Sequence, residues 1–173
     1  MQAKWLIALK LGACSNAPDA NPEAGECVGQ RAADAVEATL TMHHALGGGT
    51  RLEYRLCPAS GTTPSVLTLS RTVTRDGELD EGMRTPLSAT DYATLVARFR
   101  DAVMAKDAGT RSDSVTVDGV QMCIDMKPSS RRLPVCFDNP QRDSLRRGLR
   151  PVVDLKAELN RFADPGNATW SKR

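Results

Sequence analysis

Five cysteines, two histidines and a scatter of carboxylates are the residues of this 173-residue chain that could do chemistry. The histidines, His43 and His44, are adjacent. Neighbouring side chains of a strand point to opposite faces, so the two cannot ligate one metal without distortion, and a solvated or core-satisfied pair is the plainer reading. Cys27, Cys57, Cys123 and Cys136 show none of the Cys-x-x-Cys spacing of a zinc site or a thioredoxin-like centre. Asp125 and Asp138 would serve as general acid and base only if a cleft brought them together. Gly47-Gly48-Gly49 lacks the lysine and following helix of a phosphate loop and reads as a hairpin turn; no Gly-x-Ser-x-Gly elbow or His-Glu-x-x-His pattern occurs. These residue types predict a protein that is not an enzyme and needs no cofactor or metal.

The fifth cysteine sits in a different setting. Lys4 precedes a short apolar run, Trp5-Leu6-Ile7-Ala8-Leu9, and then comes Leu11-Gly12-Ala13-Cys14. This order of charge, apolar core and small residues before a cysteine resembles the lipobox of bacterial lipoproteins. The resemblance implies a signal peptide over residues 1–13, lipidation at Cys14, and a periplasmic, lipid-anchored protein; Ser15 after the cysteine favours the outer membrane. Ser15 to Gly25 offers no apolar residue larger than Ala or Pro to bury. Such a segment cannot repay its ordering entropy, so residues 14–26 are expected to form a flexible tether. Residues 27–173 match one domain, large enough to bury roughly 70% of its unfolded surface. No second apolar run is long enough to span a bilayer. The membrane is therefore reached through the N-terminal lipid only.

Four cysteines in an exported body suggest two disulfides, with three possible connectivities. Strand register selects among them. Val115 to Met122 places Asp118-Gly119 between alternating segments, a strong hairpin signal that would set Val117 opposite Val120 and Val115 opposite Met122. Alternation continues through Ile124 and Met126, Lys127 to Arg132 reads as a turn, and Leu133 to Asp138 as a third strand. If Lys127 pairs with Arg132, Ile124 opposes Val135, Met122 opposes Phe137, and Cys123 opposes Cys136 on the other face. Directly opposed cysteines have the short separation a disulfide requires. By elimination Cys27 pairs with Cys57.

The first half repeats the pattern. Val36, Ala38, Leu40 and Met42 alternate with polar residues; an Ala-rich helix competes over Arg31 to Ala38, but the threonines favour a strand. Pairing Met42 with Leu52, Leu40 with Tyr54 and Ala38 with Leu56 satisfies one register with the next strand, and Val66 to Thr74 supplies a third. A helix over about residues 89–106 follows, with Ser88 as N-cap, Asp91 favouring the dipole, and Leu87 stapled against Tyr92. Leu145, Leu149, Val152, Leu155, Leu159 and Phe162 form a second stripe, broken by Gly148, with the best helix starting near Pro151. The expected fold is α+β: an antiparallel sheet of about six strands in two three-strand meanders, with two helices packed on one face. The opposite face would be partly polar: if the two halves form one sheet, Glu37, Thr39, Thr41, His43, Glu53 and Arg55 share it with Thr116, Gln121, Asp125 and the disulfides.

Charge is unevenly spread although the net formal charge is only +2. Between Lys127 and Arg161, Arg131, Arg132, Arg142, Arg146, Arg147 and Arg150 make a basic region, whereas Asp76, Glu78, Asp80 and Glu81 make an acidic loop. Arginine suits bidentate recognition of carboxylates, so these two segments are the candidate partner-binding residues. Aromatics are only 4% of the chain, leaving few stacking platforms for bases, and nucleic acid is not expected as a partner. The organisation is similar to that of periplasmic inhibitor and immunity lipoproteins that capture a secreted cell-wall toxin. A structural or accessory lipoprotein that holds a subunit of a secretion or pilus machine would use the same design.

Overall fold

The computed structural model describes residues 27, 35–44, 50–73, 78–107, 119–127, 133–164 and 171–172. The alternating segments of the first half form β1 (Glu37–His44), β2 (Thr50–Cys57) and β3 (Val66–Val73), an antiparallel meander. Ala38 pairs with Leu56, Leu40 with Tyr54 and Met42 with Leu52, the register that burial of one apolar face requires. The second half contributes β6 (Val120–Lys127) and β7 (Val135–Asp138), which pair as expected, Cys123 opposite Cys136.

The two halves join through β6, which runs antiparallel to β1 along its whole length. That contact corrects one expectation. Residues 115–118 lie outside the described residues, but Val120 to Met122 already has β1 on one edge and β7 with Asn139 on the other. No edge of β6 remains for the pairing of Val117 with Val120 and Val115 with Met122.

Beyond β3 lie β4 (Glu78–Glu81) and β5 (Arg84–Pro86), both paired to it, and β8 (Ser171–Lys172) pairs with β4. The sheet order is β7-β6-β1-β2-β3-β4-β8, with β5 on the same edge of β3 as β4. Between β4 and β5 the register slips by one residue, and Leu69 N–H donates to the Met83 carbonyl at 2.9 Å. This is a β-bulge, and Gly82 is what fits it: a Cβ there would lie 1.1 Å from the Leu69 carbonyl oxygen.

Helix α1 (Ala89–Met104) begins where Ser88 Oγ accepts from Asp91 N–H at 3.1 Å. Helix α2 (Arg150–Phe162) opens on Pro151, whose missing N–H costs nothing in a first turn. Leu95, Val96, Phe99 and Ala102 of α1 and Val152, Leu155 and Leu159 of α2 share one core with Leu40, Tyr54, Leu56, Leu67, Leu69, Met122 and Ile124 of the sheet. Both helices therefore cover the same face. Tyr54 reaches through this core so that its hydroxyl donates to Asn160 Oδ1 at 2.6 Å, and burial, aided by the charge of Asp164, pushes its pKa up to about 12. The α+β class, the antiparallel sheet and the two helices on one face are as the sequence predicts.

The sheet has two distinct ends. Glu37, Cys57, Val66 and Lys127 mark the lower end; His44, Thr50, Val73 and Val120 mark the upper. Leu87 N–H donates to the Ser65 carbonyl, which starts α1 at the lower end, and Thr85 Oγ1 donates to the Phe162 carbonyl, which finishes α2 there. The helices are antiparallel, and the end of α1 meets the start of α2 at the upper end.

Candidate binding surface

Alternation that buries Leu40 and Tyr54 must turn Thr39, Thr41, Glu53 and Arg55 to the other face of the sheet. Register assembles that face from β7, β6, β1, β2 and β3, with rows such as Asp138–Gln121–His43–Arg51–Thr72 and Asp125–Thr39–Arg55–Thr68. Its centre is an ion-paired ladder. Arg55 donates to Glu53 Oε1 at 2.7 Å and to Glu37 Oε1 at 3.3 Å, and Arg51 joins Glu53 Oε2 at 2.5 Å. The Glu37 side chain is only 6% exposed, so the pairing with Arg55 offsets a desolvation that an isolated carboxylate would not tolerate. Gln121 Nε2 donates to Asp138 Oδ1 across the hairpin at 2.9 Å.

Both disulfides lie on this polar face. Cys27 is bonded to Cys57 and Cys123 to Cys136, the pairing that register and elimination predict. The Cα atoms of Cys123 and Cys136 are 4.0 Å apart, as befits a non-hydrogen-bonded antiparallel pair. His43 stands opposite Gln121 on the polar face and His44 opposite Val120, so the histidines do diverge. Asp138 is level with Gln121, four residues along β6 from Asp125, a spacing of about 13 Å that leaves them unable to share a proton.

The basic segment resolves into arginines with different duties. After β7 the chain leaves the sheet at Asn139 (φ 45°), whose N–H donates to the Val120 carbonyl while its Oδ1 accepts from Val120 N–H. One helical turn follows and is closed by a Schellman pair, Leu149 N–H to Ser144 carbonyl at 2.7 Å and Gly148 N–H to Leu145 carbonyl at 3.2 Å, with Gly148 at φ 74°. Arg147 turns inward. Its guanidinium donates to Asp107 Oδ1 and Oδ2, and to the carbonyls of Asp138, Asn139 and Arg142, which fastens the loop to the end of α1. Hydrogen bonding to Asp107 raises its already high pKa further. Arg150 pairs with Asp154 one turn along α2. Arg142 and Arg146 are exposed.

Leu145 departs from its expected place in the apolar stripe of the second helix. It lies in the loop and is 75% exposed, because Gly148 ends the helical turn before α2 begins. The break at Gly148 and Pro151 was the signal that separated it from Leu149, which is fully buried.

The acidic segment is also not the loop expected of it. Glu78, Asp80 and Glu81 belong to β4, with Asp80 in register between Arg71 of β3 and Lys172 of β8. Asp76, Arg131, Arg132 and Cys14 lie outside the described residues. Lys127 and Leu133, the described residues on either side of the segment that holds Arg131 and Arg132, are at the lower end of the sheet, and Leu133 is 78% exposed.

The chain matches no protein-family model, no curated protein and no solved structure.

Proposed function

We propose that this protein is an exported, lipid-anchored binding module of the bacterial periplasm, which captures and neutralises a protein partner such as a secreted cell-wall toxin. One observation carries the reading: both disulfides lie on the sheet face that the helices leave uncovered. Covalent links are useful there because an ion-paired polar face supplies little hydrophobic stabilisation of its own. Such links persist in an oxidising compartment, which agrees with the lipobox-like Leu11-Gly12-Ala13-Cys14. A body stiffened in this way suits recognition of another protein, since a surface ordered before binding avoids the entropy cost of ordering it during binding.

The test is stoichiometric capture. The body, immobilised from residue 27 onward with both disulfides formed, is challenged with the secretome and with envelope extracts of the same and competing bacteria. A secreted hydrolase bound one to one and losing its activity supports the proposal. A subunit of a secretion or pilus machine in its place supports the accessory-lipoprotein alternative. Turnover of an envelope substrate by the purified protein, with nothing captured, contradicts both.

A further inference from the structure

Among the described residues, the upper end of the molecule combines a loop fixed by hydrogen bonds with two exposed apolar side chains. The loop from Asn139 to Leu149 is held by the Schellman pair and the five acceptors of Arg147, so it is a fixed platform. What that platform displays outward is Leu145, 75% exposed, between the exposed Arg142 and Arg146. Arg147 clamps it to Asp107, and Gly148, at positive φ, packs so closely that a Cβ there would lie 3.0 Å from the Lys106 carbonyl oxygen. Two residues before Lys106, Met104 ends α1 and is 68% exposed, and Arg100 is one turn back on the same face of that helix.

We infer that Leu145 and Met104, rimmed by Arg100, Lys106, Arg142 and Arg146, form the contact surface for a protein partner that presents an apolar pocket inside an acidic border. The surface has the anatomy of an interface hot spot, an apolar anchor surrounded by polar groups that exclude water. Its charge selects the partner. Among the described residues, the four exposed cations outnumber the exposed acids of this end, Asp101, Asp138 and Asp143, because Asp107 is ion-paired with Arg147 and Asp154 with Arg150. The placement agrees with this use. Cys27 is bonded at the lower end of β2, so the tether joins the body about 25 Å, one strand length, from the Leu145 loop. The point of attachment is thus remote from this pole and does not obstruct it. The inference rests on the proposed binding function and adds to it the surface and the partner's chemistry.

Site-specific photocrosslinking in the full-length, anchored protein tests it, with benzoylphenylalanine placed at Leu145 and, separately, at Arg51 on the polar sheet face. The expected result is a discrete adduct from position 145 to an acidic protein, reduced about tenfold or more by Arg142→Glu with Arg146→Glu, side chains whose exposure leaves the melting curve unchanged. An adduct from position 51 alone overturns the pole as contact surface while leaving the binding function standing. A dimer of this chain at position 145 overturns the foreign acidic partner. No adduct from either position, in cells and with added secretome, overturns the binding function along with the surface.

Discussion

The two faces of this sheet are made by the same strands and stabilised by different physics. On one face Ala38, Leu40, Met42, Tyr54 and Leu56 are sealed under two helices. On the other, one residue along at each step, Thr39, Thr41, Glu53 and Arg55 are held by an ion-paired ladder and flanked by two disulfides. Packing of the first face specifies the fold. Cross-links let the second remain polar without becoming loose.

Adjacent residues of β1 give the sharpest contrast. Leu40→Ala empties a fully buried site and should cost about 3 kcal/mol, whereas Thr39→Ala, on the polar face, should cost at most about 1 kcal/mol. Urea denaturation of the two variants measures the difference; equal losses would mean that the polar face is as tightly packed as the core. Next in size is the covalent link. Cys123→Ser with Cys136→Ser opens a closure of 13 residues and should lower stability by about 3 kcal/mol on the loop-entropy estimate. Reductant should lower the midpoint of the wild type at least as far, since it opens Cys27–Cys57 as well, and should leave the double variant less affected.

The smallest effect belongs to the core face and appears only in alkali. Burial holds the Tyr54 hydroxyl neutral up to about pH 12, while in the unfolded chain it ionises near its ordinary value of 10.0. Below pH 10 the stabilisation is complete; between 10 and 12 the unfolded state loses its proton first, so stability falls as pH rises. Tyr54→Phe should flatten that decline and, by removing the hydrogen bond to Asn160, cost about 1 kcal/mol at neutral pH. Thermal melts across the alkaline range compare the two proteins.

Much of this contrast is legible in the sequence because side-chain alternation carries it. A period of two places Leu40 and Tyr54 on one face and Cys123 opposite Cys136 on the other, and the capping serine places the start of α1. Non-local pairing is not carried by alternation. Nothing in Val120 to Lys127 says that β1 occupies its free edge, so the Asp118-Gly119 dipeptide suggests a local partner instead. Likewise Arg146 and Arg147 are the same residue type side by side; their different roles depend on where Asp107 and the carbonyls of Asp138 and Asn139 fall in space. The acidic residues of β4 lack an apolar rhythm, and their strand exists through pairing with β3 and β8.

The central proposal is an exported, lipid-anchored body whose polar sheet face is cross-linked for an oxidising compartment. Intact mass measured on the protein isolated from the cell envelope, under non-reducing conditions, tests it most directly. The account predicts a chain beginning at a lipid-modified Cys14 and lighter by four hydrogens for the bonds Cys27–Cys57 and Cys123–Cys136. A chain that retains Met1 and carries free thiols, recovered from the cytoplasm, would contradict it.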